Sequence, residues 1–214
     1  MIQELKNSLR MLSKKVWYLF IALFFFNVFS FAQGYTVGSV VKDFNLKSID
    51  GKIVSLENYS LAKGFIITFT CNHCPFAKAY EDRIIALNNK FASQGFPVIA
   101  INSNDAAQYP EDNFENMQAR AKEKGFTFPY LYDETQDIAK QFGALRTPHI
   151  FLVQKEGDKL VVKYIGAIDD NWEDATAAKE KYVEDAVEAL LAGKPIAVKS
   201  TKAIGCSIKW KSKG

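Results

Sequence analysis

Apolar positions at Phe44, Leu46, Ile53 and Leu56 alternate in period two around Asp50-Gly51, which predicts a hairpin. From Gly64 to Thr70 the chain is almost continuously apolar, as a strand buried on both faces must be. Phe76, Tyr80, Ile84, Leu87 and Phe91 then recur at helical spacing, and Gln94-Gly95 ends that helix. Phe96 to Ile101 reads as a second buried strand, and Glu111 to Lys124 as a helix stopped by Gly125. Phe128 to Tyr132 reads as a strand. Asp133 with Gln136 resembles a capping box for a short helix ending at Gly143. His149 to Val153 and Leu160 to Ile165 follow as partner strands, and Tyr182 to Leu191 closes the pattern as a helix. Strands alternating with helices, then two adjacent strands and a last helix, predict an α/β sandwich with a central mixed β-sheet flanked by helices and preceded by an N-terminal β-hairpin.

The ends of the chain differ from this body. A basic start ending at Lys14-Lys15 leads into the eleven apolar residues Val16 to Phe26, and Ser30-Phe31-Ala32 places small residues where a signal peptidase reads. Residues 1–32 are therefore expected to be a signal peptide cleaved after Ala32, and the protein to be periplasmic or secreted. An inner-membrane anchor facing the periplasm is the alternative, although a spanning helix needs about 20 apolar residues. Residues 33–193 make one domain, and 194–214 a basic C-terminal tail expected to be solvated.

Charge changes the picture little. Of 27 basic and 24 acidic residues, four basic and one acidic precede Gln33, leaving 23 of each in the remainder. So balanced a body gives no footprint for nucleic acid.

The chemistry lies in Cys71-Asn72-His73-Cys74, between a buried strand and a helix start. Free N–H groups and the positive helix end there favour a thiolate. A second thiol separated from the first by two intervening residues can resolve a mixed disulfide. On this reading Cys71 is the exposed attacker and Cys74 the shielded resolver. His73 tunes the pair, and Pro75 fits the first helical turn, where its missing N–H costs nothing. Thr147-Pro148 directly before a core strand suggests a cis bond, with Thr147 offering its backbone to an extended peptide. No second CxxC or HxxxH completes a zinc site, so no metal and no cofactor are expected. Cys206 leaves two readings: a free or intermolecularly bonded tail cysteine, or a second-step thiol taking electrons from Cys71.

CxxC at a strand-to-helix junction, with Thr-Pro leading into a hairpin and last helix, resembles the thioredoxin superfamily. The segments Phe69-Thr-Cys-Asn-His-Cys-Pro-Phe76, Tyr109-Pro-Glu-Asp112, Phe128-Pro-Tyr-Leu131, Asp133-Glu-Thr-Gln136 and Thr147-Pro-His149 are most similar to its redoxin branch of AhpC/TSA peroxiredoxin-like and TlpA-like proteins. The likeness runs from about Val37 to Ala192 and implies a thioredoxin-like fold. It also implies a thiol–disulfide oxidoreductase acting through Cys71 and Cys74. Its partners would be protein thiols and disulfides and a membrane or periplasmic electron donor or acceptor. His73 before the second cysteine resembles the oxidising members, protein disulfide isomerase and DsbA.

Two departures matter. Peroxiredoxins carry a proline seven residues and a threonine three residues before the peroxidatic cysteine; counting back from Cys71 gives Gly64 and Thr68. Thioredoxin's buried acid, six residues before its first cysteine, is here Phe65, which leaves Glu81, Asp82, His149 or water to move the proton. Peroxide reduction through Cys71 and Cu(I) chaperoning by the thiols with His149 or His73 stay open as alternatives.

Overall fold

The computed structural model describes residues 34–212, so the expected signal peptide and its cleavage after Ala32 lie outside the described residues. Three short strands come first: β1 (Val40–Val41), β2 (Leu46–Ser48) and β3 (Ile53–Val54). β2 and β3 pair antiparallel, Leu46 opposite Val54, and Gly51 takes the turn at φ +85°, a conformation a side chain would resist. β4 (Gly64–Phe69) then feeds α1 (Pro75–Phe91). After it come β5 (Val98–Asn102), α2 (Phe114–Lys124), β6 (Tyr130–Tyr132) and α3 (Asp137–Phe142). The chain ends through β7 (Arg146–Thr147), β8 (His149–Glu156), β9 (Lys159–Gly166), α4 (Tyr182–Leu191) and β10 (Cys206–Ser207).

Eight strands form one mixed sheet in the order β1-β9-β8-β4-β5-β6-β2-β3, giving a thioredoxin-like sandwich. β4 lies at its centre, parallel to β5 and antiparallel to β8. Alternation along β4 explains the two cores. Ile66 packs with Tyr80, Ile84 and Phe91 of α1 on one face, while Phe65, Ile67 and Phe69 join Phe142 of α3 and Phe151 on the other. Because both faces are covered, the whole strand is apolar.

Two local expectations are corrected. Asp133 and Gln136 do not form a reciprocal capping box. The Asp133 carboxylate alone accepts the N–H groups of Ile138 and Ala139, at 3.3 and 2.9 Å. Gln136 instead adopts φ 64° and donates its amide to the carbonyls of Ser103 and Lys209.

The basic tail is not solvated through its length. Ile196, Ala203 and Ile208 are buried, and Ile208 joins the Phe142–Phe151 core. Burying a side chain such as Ile208 is worth about 1.5–3 kcal/mol, which offsets the backbone ordering of about one or two residues. β10 pairs antiparallel with β7, placing Cys206 opposite Thr147 and Ser207 opposite Arg146.

Candidate active site

β4 ends at Phe69 and α1 begins at Pro75, so the CxxC loop spans the junction as the apolar pattern predicts. Cys74 is the N-cap of α1 and Pro75 occupies its first turn. The Thr147–Pro148 bond is cis. Thr147 touches both sulfurs: its Oγ1 lies 3.2 Å from Cys71 Sγ, and its carbonyl lies 3.2 Å from Cys74 Sγ. Residues more than seventy positions apart thus meet at one point.

Asp112, which the sequence reading did not single out, organises the loop. Its carboxylate is fully buried. Oδ1 accepts the backbone N–H groups of Asn72 at 2.6 Å and His73 at 3.2 Å. Oδ2 accepts the Asn104 amide at 2.7 Å and contacts His73 Nδ1 at 2.5 Å. Tyr130 donates its hydroxyl to Asn72 Oδ1 at 3.0 Å, and Asn72 donates to the Glu111 carbonyl at 2.9 Å. The His73 ring stacks on Tyr109 with centroids 5.0 Å apart. Asp112 sits in a single 3-10 turn, Pro110–Asp112, too short to carry a periodic signal. The likeness in Tyr109–Asp112 was its only trace in the sequence.

Cys71 is not the exposed attacker expected from the sequence. It is 2% exposed and Cys74 0%, while Cys206 is half-buried and packs against them. The tail adds Cys206 to this cluster, and its β10 lies along Thr147, the backbone expected to receive an extended peptide.

The two thiols share their protons unequally. The Cys74 proton is lowered to about 4, first by the hydrogen bond Cys71 gives it and further by the Cys206 thiol and the Ala77 N–H. Cys71 is pushed well up by that same hydrogen bond, by burial and by the Asp112 charge. The Thr147 carbonyl opposes a charge on Cys74, since a carbonyl only accepts. The hydrogen bond between the two sulfurs couples them, so the pair titrates as a unit.

Among the described residues none of the candidate proton carriers hydrogen-bonds to either sulfur. Glu81 is buried in a two-pronged pair with Arg120, at 2.8 and 2.6 Å, and exposed Asp82 pairs with Lys124. His149 lies opposite Phe69 in the sheet, and burial, then the Arg146 charge, lower its pKa to about 4. Its Nδ1 accepts the Leu145 N–H at 3.4 Å.

Cys71, His73 and Asp112 bring donor atoms within 4.8 Å of one another. The Asp112 oxygens already take four contacts, about all their lone pairs can accept, so the carboxylate fits loop support better than metal ligation. Thr68 is also no part of the centre. Its hydroxyl is buried and has no partner among the described residues.

The chain is similar to several known proteins. The thiol-disulfide oxidoreductase ResA of Geobacillus thermodenitrificans is 28% identical over 134 residues, 61% of this chain and 71% of its own. The chloroplastic peroxiredoxin Q of Triticum aestivum is 31% identical over 144 residues, 60% of this chain and 57% of its own. The crystal structure of an uncharacterized conserved protein from Geobacillus kaustophilus superposes with a TM-score of 0.77 at 40% identity, covering 84% of this chain and 95% of that one. Residues 37–164 match the AhpC/TSA family, a stretch that contains both Cys71–Cys74 and Thr147–Pro148, and the chain belongs to that family.

Proposed function

We propose that the protein exchanges disulfides with protein substrates through Cys71 and Cys74, and that it does so outside the cytoplasm after export. The observation that carries this is the meeting of both sulfurs with Thr147 at the N-terminal end of α1. A shared proton leaves one sulfur nucleophilic near neutral pH, and its neighbour is placed to close the disulfide and release the substrate. His73 and Pro75 set the loop's charge and conformation. Thr147 and Pro148 present the edge an extended substrate would pair with. An electron donor or acceptor in the periplasm or its membrane would reset the pair.

Cys71 and Cys74 are buried and β10 occupies the Thr147 edge, so pairing of a substrate strand there requires the tail strand to move aside. Opening means releasing the β7–β10 pairing and the hydrogen bonds that flank it, a local event and not global unfolding. The test is reduction of insulin disulfides by the purified protein. Turnover should vanish in both Cys71→Ser and Cys74→Ser; turnover persisting in either variant overturns the reading.

Peroxide reduction through Cys71 is a second reading, favoured by the likeness to peroxiredoxin Q. Against it, Gly64 stands where the motif has proline, and the Thr68 hydroxyl has no partner among the described residues. Hydrogen peroxide consumption by Cys74→Ser in a first turnover would favour it; none would remove it.

A further inference from the structure

The tail seats a third sulfur at the pair, in the place an incoming peptide would take. β10 runs antiparallel to β7 with Cys206 directly opposite Thr147, the residue that contacts both Cys71 and Cys74. Cys206 packs against the Cys71–Cys74–Ala77 cluster. It is the one cysteine of the three that is only half-buried.

This seating is held on both sides of the cysteine. The Arg146 guanidinium donates to the Gly205 carbonyl at 2.8 Å, and the Ile208 N–H donates to the Leu145 carbonyl at 3.1 Å. Lys209 donates its N–H to Asn104 Oδ1 at 2.8 Å, and its carbonyl accepts from the Asp105 N–H and the Gln136 amide. Gly205 leaves no spare room: a Cβ there would sit 2.2 Å from the Thr147 carbonyl oxygen. So close an approach of two backbones is a reason for glycine at this position.

We propose that Cys206 is a third redox thiol and that the tail strand is an internal substitute for the substrate strand. The inference rests on disulfide exchange at Cys71–Cys74 and extends it. Once a substrate disulfide has been reduced and the Cys71–Cys74 bond has formed, the Cys206 thiolate attacks Cys74 Sγ. The Cys74–Cys206 bond forms as the Cys71–Cys74 bond breaks. The electron pair of the broken bond leaves on Cys71 Sγ, which takes up the proton Cys206 gave away, so no electrons enter or leave. The oxidised state then includes Cys206, the least buried of the three cysteines, where an external dithiol can reduce it. A Cys206 thiol donating to Cys74 in the reduced state agrees with a proton held tightly at Cys206, pushed up to about 11 by burial and the Cys74 charge.

The experiment uses the full chain. Cys71→Ser, which retains Cys74 and Cys206, is titrated with oxidised glutathione and mapped by mass spectrometry. The expected product is a monomer that has lost both thiols to one internal Cys74–Cys206 bond, releasing two glutathiones. Separate glutathione adducts, or an unmodified Cys206, overturn the proposal. If the wild type reduces insulin and this bond does not form, this inference alone fails. If the bond forms and the wild type is inert toward insulin, the exchange reading fails instead.

Gly205→Ala supplies the second readout, because it retains all three sulfurs and forces the β10 backbone away from Thr147. Alkylation of Cys71 should speed up about tenfold as the opened form becomes more populated. An unchanged rate, with the fold intact by circular dichroism, overturns the role given to the strand.

Discussion

The backbone N–H of Asn72 donates to Oδ1 of Asp112 across 2.6 Å, so a carboxylate forty residues further along the chain holds the loop between the two cysteines. Its charge also raises the proton affinity of Cys71. Asp112→Asn therefore has two expected effects. Unpaired donors in a buried site should cost about 3 kcal/mol in urea unfolding. With the charge gone, the pH midpoint of Cys71 alkylation should move down. A destabilised variant with an unmoved midpoint would leave Asp112 a role in support only.

Thr147 acts on Cys71 in the opposite sense, its hydroxyl lowering the thiol's proton affinity. Thr147→Val retains the branched shape and the β7–β10 backbone pairing and removes that oxygen. The alkylation midpoint of Cys71 should rise, with little change in unfolding midpoint. A fall would show that the hydroxyl accepts from the thiol and does not donate to the thiolate.

Glu81 is buried beside Arg120, with Lys124 only at 3.9 Å. Arg120→Met would strand that carboxylate, and breaking one side of a buried pair costs about 3–5 kcal/mol. Urea unfolding should register a loss near the low end, because Lys124 remains. Cys71 alkylation should retain its pH profile, and a shift there would restore Glu81 as a proton carrier.

His149 makes stability depend on pH. Its folded pKa of about 4 lies below the ordinary histidine value of 6.5, so between those limits the unfolded chain binds a proton the folded one refuses. Stability contributed by the neutral ring is whole above pH 6.5 and falls as pH drops toward 4. The span corresponds to about 3 kcal/mol. His149→Leu should lose about that much less than the wild type over the same range, measured by urea unfolding at each pH. Parallel curves would refute the buried neutral ring.

Periodicity in the sequence was sufficient for the longer strands and helices, because a period of two or 3.6 repeats over neighbours that share one face, while β1, β7 and β10 were not read. β4 and α1 were readable as a buried run and an apolar stripe, and Cys71, Cys74 and Pro75 fell at their junction. The cis form of Thr147–Pro148 was also expected from its place before a core strand. The capping box failed for a local reason: Gln136 was drawn to carbonyls of Ser103 and Lys209, which outcompeted the neighbouring backbone.

The sequence alone therefore determined the layer architecture and the place of the reactive pair. Only the tertiary structure decided the pair's surroundings: Asp112 beneath the loop, the burial of Cys71, and Cys206 opposite Thr147. The physical reason is range. A two-residue strand such as β10 has no readable period, and its partner β7 lies some 59 residues away. Such pairing is chosen by the closing of the whole core, through contacts like buried Ile208, and not by the residues beside it in the chain.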